Sequence, residues 1–92
     1  LFLEMSALGT RDPQIGHALL AADRLTRGDF ARWLRQRAER SGTTLSDSEA
    51  TVRAFTLQCL IEGLALRAVR EPDIGDEQVA AAMALALPTL LP

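Results

Sequence analysis

Apolar positions recur every three or four residues along most of the chain, interrupted at Gly9, at Ser41-Gly42 and at Pro72. That period places them on one side of an α-helix. The runs of Val, Ile and Thr that would favour strands are missing, and the apolar content is carried largely by Leu and Ala. Four helices are predicted. The first, Leu1 to about Leu8, sets Leu1, Met5 and Leu8 at helical spacing and stops at Gly9. The second opens with Asp12 as N-cap and Pro13 at the first helical position, where a missing N–H costs nothing. In it Ile15, Leu19, Ala22, Thr26, Phe30 and Trp33 share a stripe, with His17, Arg24 and Arg35 on the opposite side. It is expected to run from Pro13 to about Arg40, with Gly28 offering a bend and Ser41-Gly42 the stop.

"LSDSEA" carries a capping box in Ser46 and Glu49, with Leu45 and Ala50 placed as a hydrophobic staple. The third helix therefore starts after Ser46 and runs to about Glu71, before Pro72. The last begins near Asp76 with acidic residues in its first turn, which suits the helix dipole, and Pro88 is expected to end or kink it. The connections are short, and there is no internal repeat or low-complexity tract. Ninety-two residues suffice for one core. The expected fold is all-α: a single domain over residues 1–92, an antiparallel bundle of about four helices.

The last two helices do not have one wet side. In the third, Thr56, Leu60, Gly63, Leu64 and Arg67 lie on one face, and Phe55, Gln58, Ile61, Glu62, Ala65 and Val69 on the other. In the fourth, Val79, Met83, Ala86 and Leu90 make one stripe and Ala80, Ala84, Leu87 and Leu91 another. A helix apolar on both sides must be covered on both sides, and three companion helices can hardly enclose one. The cover is expected from a second copy. The predicted homodimer is an isologous four-helix bundle with Thr56, Leu60, Gly63, Leu64, Arg67, Val79, Met83 and Leu87 at its interface, Gly63 and the alanines letting axes approach.

Charge and chemistry narrow the function. All ten basic residues are Arg, twelve residues are acidic, and the formal charge is −2, so there is no basic field for nucleic acid or anionic membrane. The Arg series from Arg24 to Arg40 reads as a solvated face interleaved with Asp23, Asp29 and Glu39. One cysteine excludes an internal disulfide and a Cys-based zinc cluster, and fits a cytoplasmic location. Cys59 reads as a small buried hydrophobe in preference to a sensor thiol. His17, alone on a polar side, makes no metal site, and no cofactor is expected. With one His, no Lys and no Tyr, no nucleophile, base and orienter fall on a recognisable framework, so an enzyme is not expected. No apolar run has the length of a membrane span, and no charged leader precedes a cleavage site. The chain starts without Met, inside an apolar pattern with no cap ahead of it, which points to the C-terminal part of a longer protein.

"LFLEMSALGTRDP", the long Arg-rich helix after it, "TLQCLIEGLALRAVREPD" and the final Leu/Ala helix resemble the C-terminal domain of TetR-type transcriptional repressors. The resemblance covers nearly the whole chain. It implies that the last two helices form the dimer, that the helices before them enclose an effector pocket, and that DNA is bound through an N-terminal helix-turn-helix domain absent from this chain. The pocket is then expected among Phe2, Met5, Trp33, Phe55, Gln58 and Glu62, and its ligand to be a small hydrophobic effector. Two readings of Gln58 and Glu62 stand: polar fixing points in an apolar pocket, or a wet helix edge bonded to Arg side chains. The alternative to a sensor domain is a ligand-free helical oligomerisation module.

Overall fold

A computed structural model describes residues 12–92, which hold three α-helices: α1 (Pro13–Arg40), α2 (Asp47–Arg70) and α3 (Asp76–Leu90), with no strand among the described residues. The helix expected over Leu1–Leu8 lies outside them. Each boundary has a local cause. At the start of α1 the Asp12 carboxylate accepts from the Gln14 N–H at 2.9 Å, with Pro13 in the first turn. Its end is a Schellman motif. Gly42 takes φ +81°, the Thr43 N–H donates to the Ala38 carbonyl at 2.9 Å, and the Gly42 N–H donates to that of Glu39 at 3.0 Å.

Ser46 caps α2, its Oγ accepting from the Glu49 N–H at 3.1 Å and donating to the Glu49 carboxylate at 3.0 Å. The box is therefore closed through the hydroxyl. Gly75, which has no side chain to cap with, precedes α3, and Asp76 and Glu77 occupy its first turn. Pro88 does not stop α3, which continues to Leu90. The ring sits in the last turn, where a helix already has carbonyls without helical partners. Two of these end carbonyls are met from α2: the Arg53 guanidinium donates to Leu90 O at 2.8 Å and Thr89 O at 3.2 Å.

Both helix pairs are antiparallel. Along the first, Arg35 faces Asp47 at 3.5 Å and Arg27 meets Gln58 at 2.8 Å. Along the second, Arg53 reaches Leu90 while Leu64 and Val79 line one groove. The buried apolar residues are Ala31, Leu34, Ala38, Ala50, Ala54, Leu57 and Leu90, with Phe30, Leu45 and Leu91 packed against the Ala31–Leu34–Ala50–Ala54 cluster. This corrects the expected stripe on α1. Ala22 and Thr26 are exposed and Trp33 is 42% exposed, while the buried line lies on Ala31, Leu34 and Ala38, one residue further along and so about 100° round the helix. Alanines on both helices let α1 and α2 lie close together. Phe30 and Trp33 are too large for that seam and stand beside it.

The Cα extents are 45 × 35 × 14 Å, and the radius of gyration is 15.3 Å against roughly 12 Å for a compact domain of this length. The three helices form one layer. Its accessible surface, 6727 Å², is roughly 1,500 Å² more than the ~5,200 Å² of a typical folded monomer of this mass. Large apolar side chains account for part of it, Leu85 being 84% and Leu25 74% exposed. A core normally needs two layers, and the described helices supply one.

Candidate functional site

Beyond the alanine seam, larger side chains hold the surfaces of α1 and α2 apart and leave a groove of about 360 Å³. Asp23, Thr26 and Phe30 line it from α1, and Gln58, Ile61, Glu62 and Ala65 from α2. The helical period explains the set: Thr26 and Phe30 are four apart, as are Gln58–Glu62 and Ile61–Ala65. The walls are largely apolar. Gln58 is buried, 7% exposed, and both ends of its amide are engaged. Its Oε1 accepts from Arg27 Nε at 2.8 Å and its Nε2 donates to the Asp23 carbonyl at 2.9 Å. A buried amide needs such partners, and here they also bolt α2 to α1.

The remaining polar lining is the Asp23 and Glu62 carboxylates and the Thr26 hydroxyl. Among the described residues no Arg lines this groove, and neither carboxylate makes an ion pair. The nearby Arg27 is turned away, bonded to Gln58, with its guanidinium carbon 5.1 Å from the centroid of the Phe55 ring. A second apolar groove of about 450 Å³ shares Phe30 and Ile61 with the first and continues along Asp29, Trp33 and Leu57. Arg37 lies over the Trp33 ring at 5.7 Å.

Of the pocket residues expected from sequence, Gln58 and Glu62 come together in the first groove and Trp33 lines its neighbour. Phe55 lines neither and is covered by Arg27. Phe2 and Met5 lie outside the described residues. Asp23, Thr26, Ile61 and Ala65 were not singled out for the site. A signal for Asp23 exists in the sequence: it stands four residues after Leu19, where the apolar line of α1 should continue.

Five of the eight residues expected at a dimer face, Thr56, Leu60, Leu64, Arg67 and Val79, line grooves between α2 and α3. Thr56 and Leu60 share an apolar groove of about 280 Å³ with Ala86, Thr89 and Leu90. Leu64, Arg67 and Val79 share another, of about 470 Å³, with the turn at Asp73–Ile74. Met83 and Leu87 are half-buried, and a Cβ placed on Gly63 would meet no atom within 4 Å. The seam is left open, apolar at the Thr56–Leu60 end and mixed with charged and polar side chains (Arg67, Glu71, Gln78) at the other. Cys59, expected buried, is exposed, because its side of α2 faces neither α1 nor α3. Arg27 and Arg35 depart from the expected solvated face and are half-buried against α2.

The chain belongs to the family described as BetI-type transcriptional repressor, C-terminal, which matches residues 1–92, and so carries a TetR-type C-terminal domain. Neither a curated protein nor a solved structure matches it. Among the described residues no helix is long and apolar enough to cross a membrane.

Proposed function

We propose that this domain senses a small molecule and dimerises a TetR-type transcriptional regulator. The groove between α1 and α2 is its effector site, and the observation that carries this reading is the groove's construction: apolar walls, a volume within the usual range for ligand sites, and a buried, bonded Gln58 holding the two helices in register. The polar lining sets the sign of the ligand. Two carboxylates, with no Arg among the described lining residues, disfavour organic anions, since an anion there would meet like charge. The effector is a largely hydrophobic molecule, neutral or cationic.

The open α2–α3 seam supports dimerisation. A second copy laid along it, over Thr56, Leu60, Gly63, Leu64, Arg67, Val79, Met83 and Leu87, would bury the apolar groove at Thr56, Leu60, Ala86 and Leu90 that the described helices leave open. An effector that binds one spacing of the dimer better than another shifts the population between them, and DNA-binding heads attached to the two chains move away from adjacent major grooves.

A thermal-shift screen of hydrophobic alcohols and amines, each matched with the carboxylate of the same skeleton, tests this reading. A ligand at about 100 times its dissociation constant stabilises the fold by roughly 2.7 kcal/mol, a readily measured rise in melting temperature for a domain this small. Alcohols and amines should shift the transition, the carboxylates should not, and Phe30→Ala should weaken the hits while His17→Ala should not. A screen without any shift would leave the ligand-free oligomerisation module, which the open α2–α3 seam also supports, as the better account.

A further inference from the structure

Gln58 sits between two residues of α1 that are one turn apart, bonded to Arg27 Nε at one end and to the Asp23 carbonyl at the other. Its side chain is part of the groove wall. Arg27 does not line that groove. It borders a small notch formed with Arg24, Gly28, Ala31 and Thr51, and its guanidinium covers Phe55. Phe55 is half exposed and immediately precedes Thr56, which borders the α2–α3 seam.

We propose that Gln58, Arg27 and Phe55 form a switch that transmits occupancy of the groove to the exposed surface of α2 at Phe55. Its biological use rests on the reading of the groove as a ligand site. The arrangement present is one of two available to Arg27. A guanidinium over a half-exposed ring is weakly held by that ring alone, so the charge-assisted bond to Gln58 is what keeps it there. The second partner is the Asp23 carboxylate, four residues earlier on the same helix, a spacing at which acid and base side chains meet. An occupant that displaces the Gln58 amide takes away the acceptor of Arg27 Nε. Arg27 then turns to Asp23 and uncovers Phe55. The movement of one residue enforces that of the other, because Gln58 is too deeply buried to leave its oxygen unpaired without a substantial cost.

The test fills the groove from its own wall. In Glu62→Phe, one turn after Gln58 and half-buried in the same groove, the new ring leans back toward the Gln58 amide, and side-chain NMR reports Arg27 and Phe55. Loss of the hydrogen-bonded position of the Arg27 Nε–H signal, and loss of the upfield ring-current shift of its δ protons, are the expected results. Adding Gln58→Leu should abolish the response, so that the double variant matches Gln58→Leu alone. If Gln58→Leu does not fold, Arg27→Met cuts the same link, and the Phe55 ring signals should then ignore Glu62→Phe. Arg27 and Phe55 signals unchanged by Glu62→Phe, or changed equally with and without Gln58, would overturn the proposal. Because the occupant is a side chain, a groove that takes no added compound would refute the sensing role, and these spectra would still decide the switch.

Discussion

Gly63 separates the behaviour of one chain from that of a pair. It lies in the interior of α2, and a Cβ built on it meets no atom within 4 Å, so within a single chain Gly63→Ala relieves an entropic penalty and meets no clash. The gain is about 0.8–1.0 kcal/mol of helix propensity, and Gly63→Arg, with a good helix former, should gain nearly as much. In a dimer closed over the α2–α3 seam the same substitution enters twice, once from each copy. Overpacking costs about 1–3 kcal/mol per site, so the pair loses about 2–6 kcal/mol, or roughly thirtyfold to twenty-thousandfold in the dimer dissociation constant. Arg at this position adds an unpaired charge and should fall at the upper end. Sedimentation across a dilution series gives the association constant, and melts by circular dichroism at concentrations below dissociation give the single-chain stability. The expected pattern is opposite signs: a more stable chain and a weaker dimer. A dissociation constant for Gly63→Arg within about threefold of the parent's would show that Gly63 is not covered by a partner, and the pairing face would have to lie elsewhere.

Leu34, among the described residues the one large side chain with no exposure, is packed among alanines that cannot reach into the space it would vacate, so Leu34→Ala should cost about 3–4 kcal/mol in urea unfolding at fixed protein concentration; a loss below about 1 kcal/mol would mean that Phe30, Leu45 or Leu91 collapses into the site. Ser46→Ala removes the α2 cap and should cost about 1 kcal/mol, seen as a lower denaturant midpoint; superimposable curves would deny the cap an energetic role. Arg53→Met leaves the carbonyls of Thr89 and Leu90 to solvent, and amide exchange in α3 should quicken while α1 is unaffected; equal protection in α3 would show that Leu90 and Leu91 alone hold that helix.

What could be read directly from the residues was everything local. Asp12-Pro13, Ser41-Gly42 and the Ser46–Glu49 box each act over six residues or fewer, through backbone groups whose positions relative to the cap are the same in any protein, and both bounds of α1 and the start of α2 follow from them. The two-sided apolar character of α2 and α3 was equally visible, since it depends only on the helical period.

Which face a helix buries is a different matter, because it depends on what the neighbouring helix presents. The stripe from Ile15 to Trp33 is the more apolar one, yet close packing selected the smaller side chains at Ala31 and Ala38, with Leu34 between them, against Ala50 and Ala54; bulk was pushed aside to become groove wall. Arg27 could not be known as a bonded partner until the antiparallel register set it against Gln58, 31 residues away, nor Arg53 as a cap for the end of α3, 36 and 37 residues away. Caps and periodicity are properties of a few consecutive residues, whereas the buried line, the groove and the Gln58–Arg27 bond exist only where two segments distant in sequence meet. Only the tertiary structure decided those.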